Sequence, residues 1–224
     1  MIIIIMFIVF RFIIPSLLSF FLVSCSQEKN ISAKPENLDL TEIVKTYSEI
    51  VYASYVDSHA AAKSMSNSID AFLDSPSEQS MVAAKESWIS ARLPYLQTEV
   101  YRFYGGPIDD EDGPEGLINA WPMDEAYVDY VKGAPESGII NDVKAYPEIT
   151  KDLLIGLNEK DGEENISCGY HAIEFLLWGQ DFQVRGPGER PHTDYTTAAN
   201  ADRRKQFLKI TVSLLLENLE RFSK

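Results

Sequence analysis

The sequence predicts an all-α protein, an up-and-down helical bundle with long inserted loops. Three observations predict it. Apolar residues recur at helical spacing along the long uninterrupted stretches. No segment alternates apolar and polar residues as a half-buried strand does. Gly and Pro gather in a few clusters that separate the helical stretches. The chain of 224 residues suits one domain or two, and 45% hydrophobic against 24% charged residues supports a sizeable core. The balance of 20 Lys and Arg against 34 Asp and Glu, a net charge of −14, excludes the basic face of a nucleic-acid binder. It equally excludes docking on anionic lipid through a basic patch. Two cysteines exclude a disulfide framework and a Cys-rich zinc module.

The elements follow in chain order. Residues 1–24 are almost wholly apolar and end in Leu22-Val23-Ser24 before Cys25. That pattern reads as an export signal, and its ending resembles a bacterial lipobox, cleaved before Cys25 and lipidated on its sulfur. Nothing basic precedes Arg11, so a start at Met6 gives the more ordinary signal. Residues 25–37 are polar, contain Pro35 and read as a tether. The folded body is expected over 38–224. A long helix is predicted from Leu38 to Leu73, with Leu40, Ile43, Val44, Tyr47, Val51, Tyr55, Ala62, Met65, Ile69 and Phe72 on its apolar stripe, capped by Asp39 or Thr41 and ended by Ser75-Pro76. Ser77 caps a second helix with its body over Ser80 to Tyr104, which Pro94 should kink or split near Leu93. Residues 105–121 read as loop, including the acidic turn Asp109-Asp110-Glu111-Asp112, which lacks the alternating ligand spacing of an EF-hand. Trp121-Pro122-Met123-Asp124 opens a short helix. One or two short helices lie over Asn141 to Asn158 around Pro147. A strong helix runs from Glu163 to Trp178, a Gly/Pro loop from Gly179 to Thr197, and a last helix from Asn200 to Arg221.

The chemistry concentrates in Gly169-Tyr170-His171-Ala172-Ile173-Glu174-Phe175-Leu176-Leu177-Trp178-Gly179-Gln180-Asp181. His171 and Glu174 stand three residues apart, so a helix places them on one face with Cβ atoms roughly 5–6 Å apart. An imidazole and a carboxylate so placed can share a metal ion. They can equally form a hydrogen bond that only ties helices together. The apolar neighbours predict that Glu174 is buried and therefore needs a partner. A hydrolytic zinc site brings three protein ligands and a base, often from His-Glu-x-x-His, which is absent; His59, His171 and His192 are the chain's only histidines. Any third ligand must therefore come from another helix. Trp121 and Trp178 read as core anchors. Asp109, Asp124 and Asp181 read as caps and turns, and Cys168 as an inert buried thiol.

Residues 169–181 resemble the Gly-x-His-x-x-Glu signature of the imelysin family. Three further blocks resemble the same family in the same order: Ala91 to Glu99, Ile118 to Tyr127, and Gly186 to Tyr195. The resemblance runs from about Leu38 to the end. It implies an exported helical protein, often lipid-anchored and frequently linked to iron acquisition, in a family whose founding activity was described as that of an insulin-cleaving metallopeptidase. It implies Gly169, His171 and Glu174 as the presumed metal or functional site. Glu99, in the matching block, is the choice for a third ligand. Arg92 either neutralises Glu174 or binds an acidic ligand. Family chains usually continue into a second helical half, so an exposed apolar face on the last helix is expected here, with self-association as a way to cover it.

The resulting expectation is a cell-envelope lipoprotein, anchored to the membrane through Cys25 and facing the periplasm or the cell surface. It binds a divalent metal, iron or zinc, through His171, Glu174 and Glu99, and works with iron-transport proteins rather than nucleic acid. A metallopeptidase and a metal-free scaffold are the alternatives.

Overall fold

The computed structural model describes residues 40–223, so the predicted signal, Cys25 and the tether lie outside the described residues. Seven α-helices and two 3₁₀ turns account for the regular structure there; a single isolated bridge joins Val131 to Ala134, and no strand occurs among the described residues. From Val44 onward the chain forms one compact unit.

Helix α1 spans Leu40–Asp74 without interruption, as its unbroken periodicity dictates. Its buried face reads Tyr55, Ser58, Ala62, Met65, Ile69 and Phe72, one residue every three or four. The stripe does not bury along its whole length: Leu40, Ile43, Val44 and Tyr47 are exposed. Helix α2, Glu78–Gln97, opens with a capping box in which Ser77 and Ser80 bond reciprocally. Pro94 does not split it. The helix continues through Pro94 and then tightens into a 3₁₀ turn over Thr98–Tyr101, short of the expected Tyr104. Buried Trp88, Ala91 and Tyr95 hold this stretch by packing, which outweighs the single backbone bond that proline removes.

The region expected to be loop contains a short helix, α3, at Glu115–Asn119. In the acidic turn before it, Asp109 accepts the Phe103 N–H and Asp110 accepts the Asp112 N–H at 3.1 Å. Helix α4, Glu125–Val128, is capped by Asp124, which accepts the Ala126 N–H at 2.9 Å. Helix α5, Lys151–Leu157, is capped by Thr150. Helix α6, Gly169–Trp178, starts six residues later than its periodicity suggested. The Asn158 side chain captures the N–H groups of Ser167 and Cys168 at 3.0 and 3.2 Å and holds them outside the helix. After a 3₁₀ turn at His192–Tyr195, helix α7 runs from Ala201 to Glu220.

Helix α6 is the centre of the core and packs on α2, α3 and α7. Its Tyr170, Ile173, Leu176 and Leu177 are fully buried. The last helix does not present the expected apolar face: Phe207, Leu208, Val212, Leu214, Leu215 and Leu219 are all buried. Exposed apolar side chains lie instead on α1, on α2 at Val82, Ile89, Leu93 and Leu96, and over Val100, Phe103 and Tyr104.

A buried ionic knot fixes the loop that follows α6. Asp129, wholly buried, receives Arg190 at 2.6 Å and Arg204 at 2.6 and 2.9 Å. Asp194 joins through Arg190 at 3.0 Å and Tyr130 at 2.6 Å. Burial alone would raise the Asp129 carboxyl; the Arg204 hydrogen bonds and the two guanidinium charges overcome it and hold the group below the usual carboxylate range.

Candidate functional site

His171 and Glu174 lie on the one stretch of α6 that the core does not cover. Their neighbours Ala172, Ile173 and Phe175 are buried, whereas the His171 side chain is 16% exposed and that of Glu174 is 43% exposed. The apolar surroundings in sequence predicted a buried glutamate; the helix turns it to the rim of a cleft instead. His171 Nδ1 and Glu174 Oε2 stand 3.0 Å apart. Among the described residues no protein group bonds to His171 Nε2. Trp121 lies over the imidazole with ring centroids 5.0 Å apart. This tryptophan is 70% exposed, so it caps the site rather than anchoring the core; Trp178, in contrast, is buried as expected.

The cleft around them has a volume of about 600 Å³, and Trp88, Trp121 and Trp178 line it. Two further carboxylates, Glu125 and Asp181, line the same space. Both are partly committed to the loop: Glu125 accepts the Gln180 amide at 2.8 Å, and Asp181 accepts the Gln183 N–H at 2.8 Å. Among the described residues no three His, Cys, Asp or Glu side chains converge on a point where a metal ion could sit.

Gly169 sets the start of the site helix. Its φ is +82°, and a Cβ there would stand 2.5 Å from the Ile118 carbonyl oxygen. The glycine thus lets α6 lie directly on α3 and fixes where His171, two residues on, emerges.

The other expected site residues stand elsewhere. Glu99, in the 3₁₀ turn after α2, pairs with Arg102 at 3.2 Å and accepts the Asn119 amide at 3.1 Å. It is not assembled with His171 and Glu174. Arg92 does not reach Glu174; its guanidinium stacks on Tyr95 and Tyr170 at 5.2 and 5.1 Å, with a buried Nη1 that lacks a hydrogen-bond partner. Cys168 is buried, and burial pushes its thiol up to about 12, which keeps it protonated at neutral pH. Glu125 and Asp129 carried no specific signal in sequence. Arg204 did: it repeats in register with Phe207, Leu208 and Thr211, which marks it as facing the core.

The imelysin (peptidase M75) profile matches residues 51–224. The chain belongs to the imelysin family. An iron-regulated protein A from Synechococcus elongatus is 33% identical over 130 residues, which is 58% of this chain and 29% of the relative. A crystal structure from Parabacteroides distasonis, described provisionally as an iron-regulated protein A precursor, superposes with a TM-score of 0.62 at 20% identity. It covers 86% of this chain and 46% of its own. At that identity it supports the imelysin-like helical fold. The chain therefore spans less than half the length of either relative. Among the described residues no helix is long and apolar enough to cross a membrane.

Proposed function

We propose that this imelysin-type protein is an exported lipoprotein that offers His171 and Glu174 to a metal ion carried as cargo, iron first, as a component of iron uptake. One observation carries the reading. Glu174 Oε2 and His171 Nδ1 stand 3.0 Å apart at the rim of an acidic cleft, close enough for one ion to take both as donors in place of their hydrogen bond. The carboxylates Glu125 and Asp181 can supplement the pair, and a mixed nitrogen and oxygen donor set suits iron, manganese or zinc. Two adjacent donors with carboxylates at a distance suit an ion that is taken up and released. A hydrolytic centre uses three converged ligands and an activated water. The names of the two relatives favour an iron-related role, and "precursor" in one of them favours export. The lipobox-like Leu22 to Cys25 supports anchoring through Cys25, and iron-transport proteins are the natural partners.

The test is calorimetric titration of the purified protein with Fe(II) and Zn(II), beside His171→Ala. Binding near one equivalent, reduced at least tenfold in the variant with unchanged helical circular dichroism, is the expected result. Equal affinity in both proteins would remove His171 from the site.

A further inference from the structure

The molecule has a second groove, built on α1 and remote in sequence from the His171 cleft. It has a volume of about 660 Å³, in the range of small-molecule sites, and Tyr47, Tyr52, Tyr55, Tyr101, Tyr104 and Phe222 line it. The rings are held against one another: Tyr47 meets Tyr101 edge-on at 5.8 Å, and Tyr55 packs on Phe222 at 5.2 Å. Among the described residues no ionised side chain lines the groove itself. Its wall is ring faces and aliphatic carbon, with the Ser48 side chain and the tyrosines as polar exceptions.

What lies behind the wall is anionic. Tyr55, only 3% exposed, closes the rear of the groove, and its hydroxyl faces Thr98. That hydroxyl lies within electrostatic range of Arg102, Asp109 and Glu115. The nest holds Glu99 and Glu115 on Arg102, at 3.2 and 2.8 Å. Two carboxylates thus share one guanidinium, and the Asp109 carboxylate acts on the same Tyr55 hydroxyl as Glu115 does. Asp109 Oδ1, Asn119 Oδ1 and the Arg102 Nε–H are buried in the same nest without hydrogen-bond partners among the described residues. An anionic body behind a cage of ring faces attracts a cation twice, through its charge and through the negative faces of the rings.

We infer that the Tyr47–Tyr101–Tyr104 groove is a binding site for an organic cation of the quaternary ammonium class. Such a head group needs no hydrogen-bond acceptor, which the groove wall scarcely provides. It gains instead from desolvated contact with several rings. A primary ammonium would forfeit its hydrogen bonds to water on entering. A neutral ligand of the same shape gains the contact without the charge. This site shares no residue with the His171 cleft and stands or falls independently of metal binding.

The probes are choline and its uncharged carbon isostere 3,3-dimethyl-1-butanol, titrated by calorimetry and by the NMR shifts of tyrosine ring protons. Choline should bind at one equivalent and about tenfold more tightly than the isostere, the difference expected of a cation on aromatic faces. Tyr104→Ala should weaken choline severalfold; Tyr104 is 74% exposed, so its removal leaves the core intact. Asp109→Asn, with the fold checked by circular dichroism, should narrow the choline preference. Equal affinity for the two probes, or no choline binding by the folded wild-type protein, overturns the inference. Unchanged choline affinity in Tyr104→Ala with unmoved tyrosine signals overturns the assignment to this groove.

Discussion

At Gly169 a single missing methyl group decides how two helices meet. The φ of +82° and the 2.5 Å approach to the Ile118 carbonyl leave no room for a side chain. Gly169→Ala should therefore cost about 1–3 kcal/mol in urea unfolding, through backbone strain and the forced separation of α6 from α3. An unchanged unfolding midpoint would mean that α6 starts elsewhere without penalty. The motif was legible as residue identities, and the i, i+3 spacing of His171 and Glu174 was legible as geometry. The burial of Glu174 was misread, because composition along a helix does not say which of its faces stays open. Glu99 was misplaced for a related reason: its block matches the family, but its carboxylate is taken by Arg102 and Asn119, which sequence distance does not reveal.

At the level of elements, the long helices are readable, and so are the short ones after Asp124 and Thr150, whereas α3 is not. The 35 residues of α1 carry one uninterrupted period, and the capping serine of α2 sits where its side chain can bond the Ser80 N–H. Helix α3 has five residues, fewer than two turns, so no periodicity could mark it. Pro94 was read as a breaker because its local cost is large; buried Trp88, Ala91 and Tyr95 on the same helix override it. That conflict yields a prediction. Pro94→Ala restores the donor that the Ser90 carbonyl lacks and should stabilise the protein by about 1–3 kcal/mol in urea unfolding. A neutral or destabilising result would show that the tightening into the 3₁₀ turn depends on proline. In the opposite sense, Ser77→Ala removes the cap and should cost about 1 kcal/mol by the same measurement.

For the whole molecule, the ionic knot at Asp129 sets how the fold responds to acid. The knot joins three regions far apart in sequence: Asp129 after α4, Arg190 and Asp194 around the second 3₁₀ turn, and Arg204 on α7. It gave no sequence signal beyond the register of Arg204, since nothing local shows that these charges meet inside. The folded Asp129 carboxyl is held below its ordinary value, so the unfolded chain takes up its proton first as pH falls. The stabilisation from this group is accordingly complete above the ordinary carboxylate range near pH 4 and is lost as the pH drops through the lower native value. Glu115 acts with the opposite sign. Burial raises it despite Arg102, so in the interval above the ordinary value its contribution improves as pH falls. Asp129→Asn leaves the buried Arg190 and Arg204 with Asp194 as their one remaining carboxylate and should cost about 3–5 kcal/mol at neutral pH. Urea unfolding of both proteins from pH 7 to pH 2.5 distinguishes this from a simple packing defect. The gap between them should stay constant down to about pH 4 and then narrow, because only the wild type has a carboxylate to lose. A gap that persists unchanged to pH 2.5 would assign the cost to packing and remove the knot as the source of acid sensitivity.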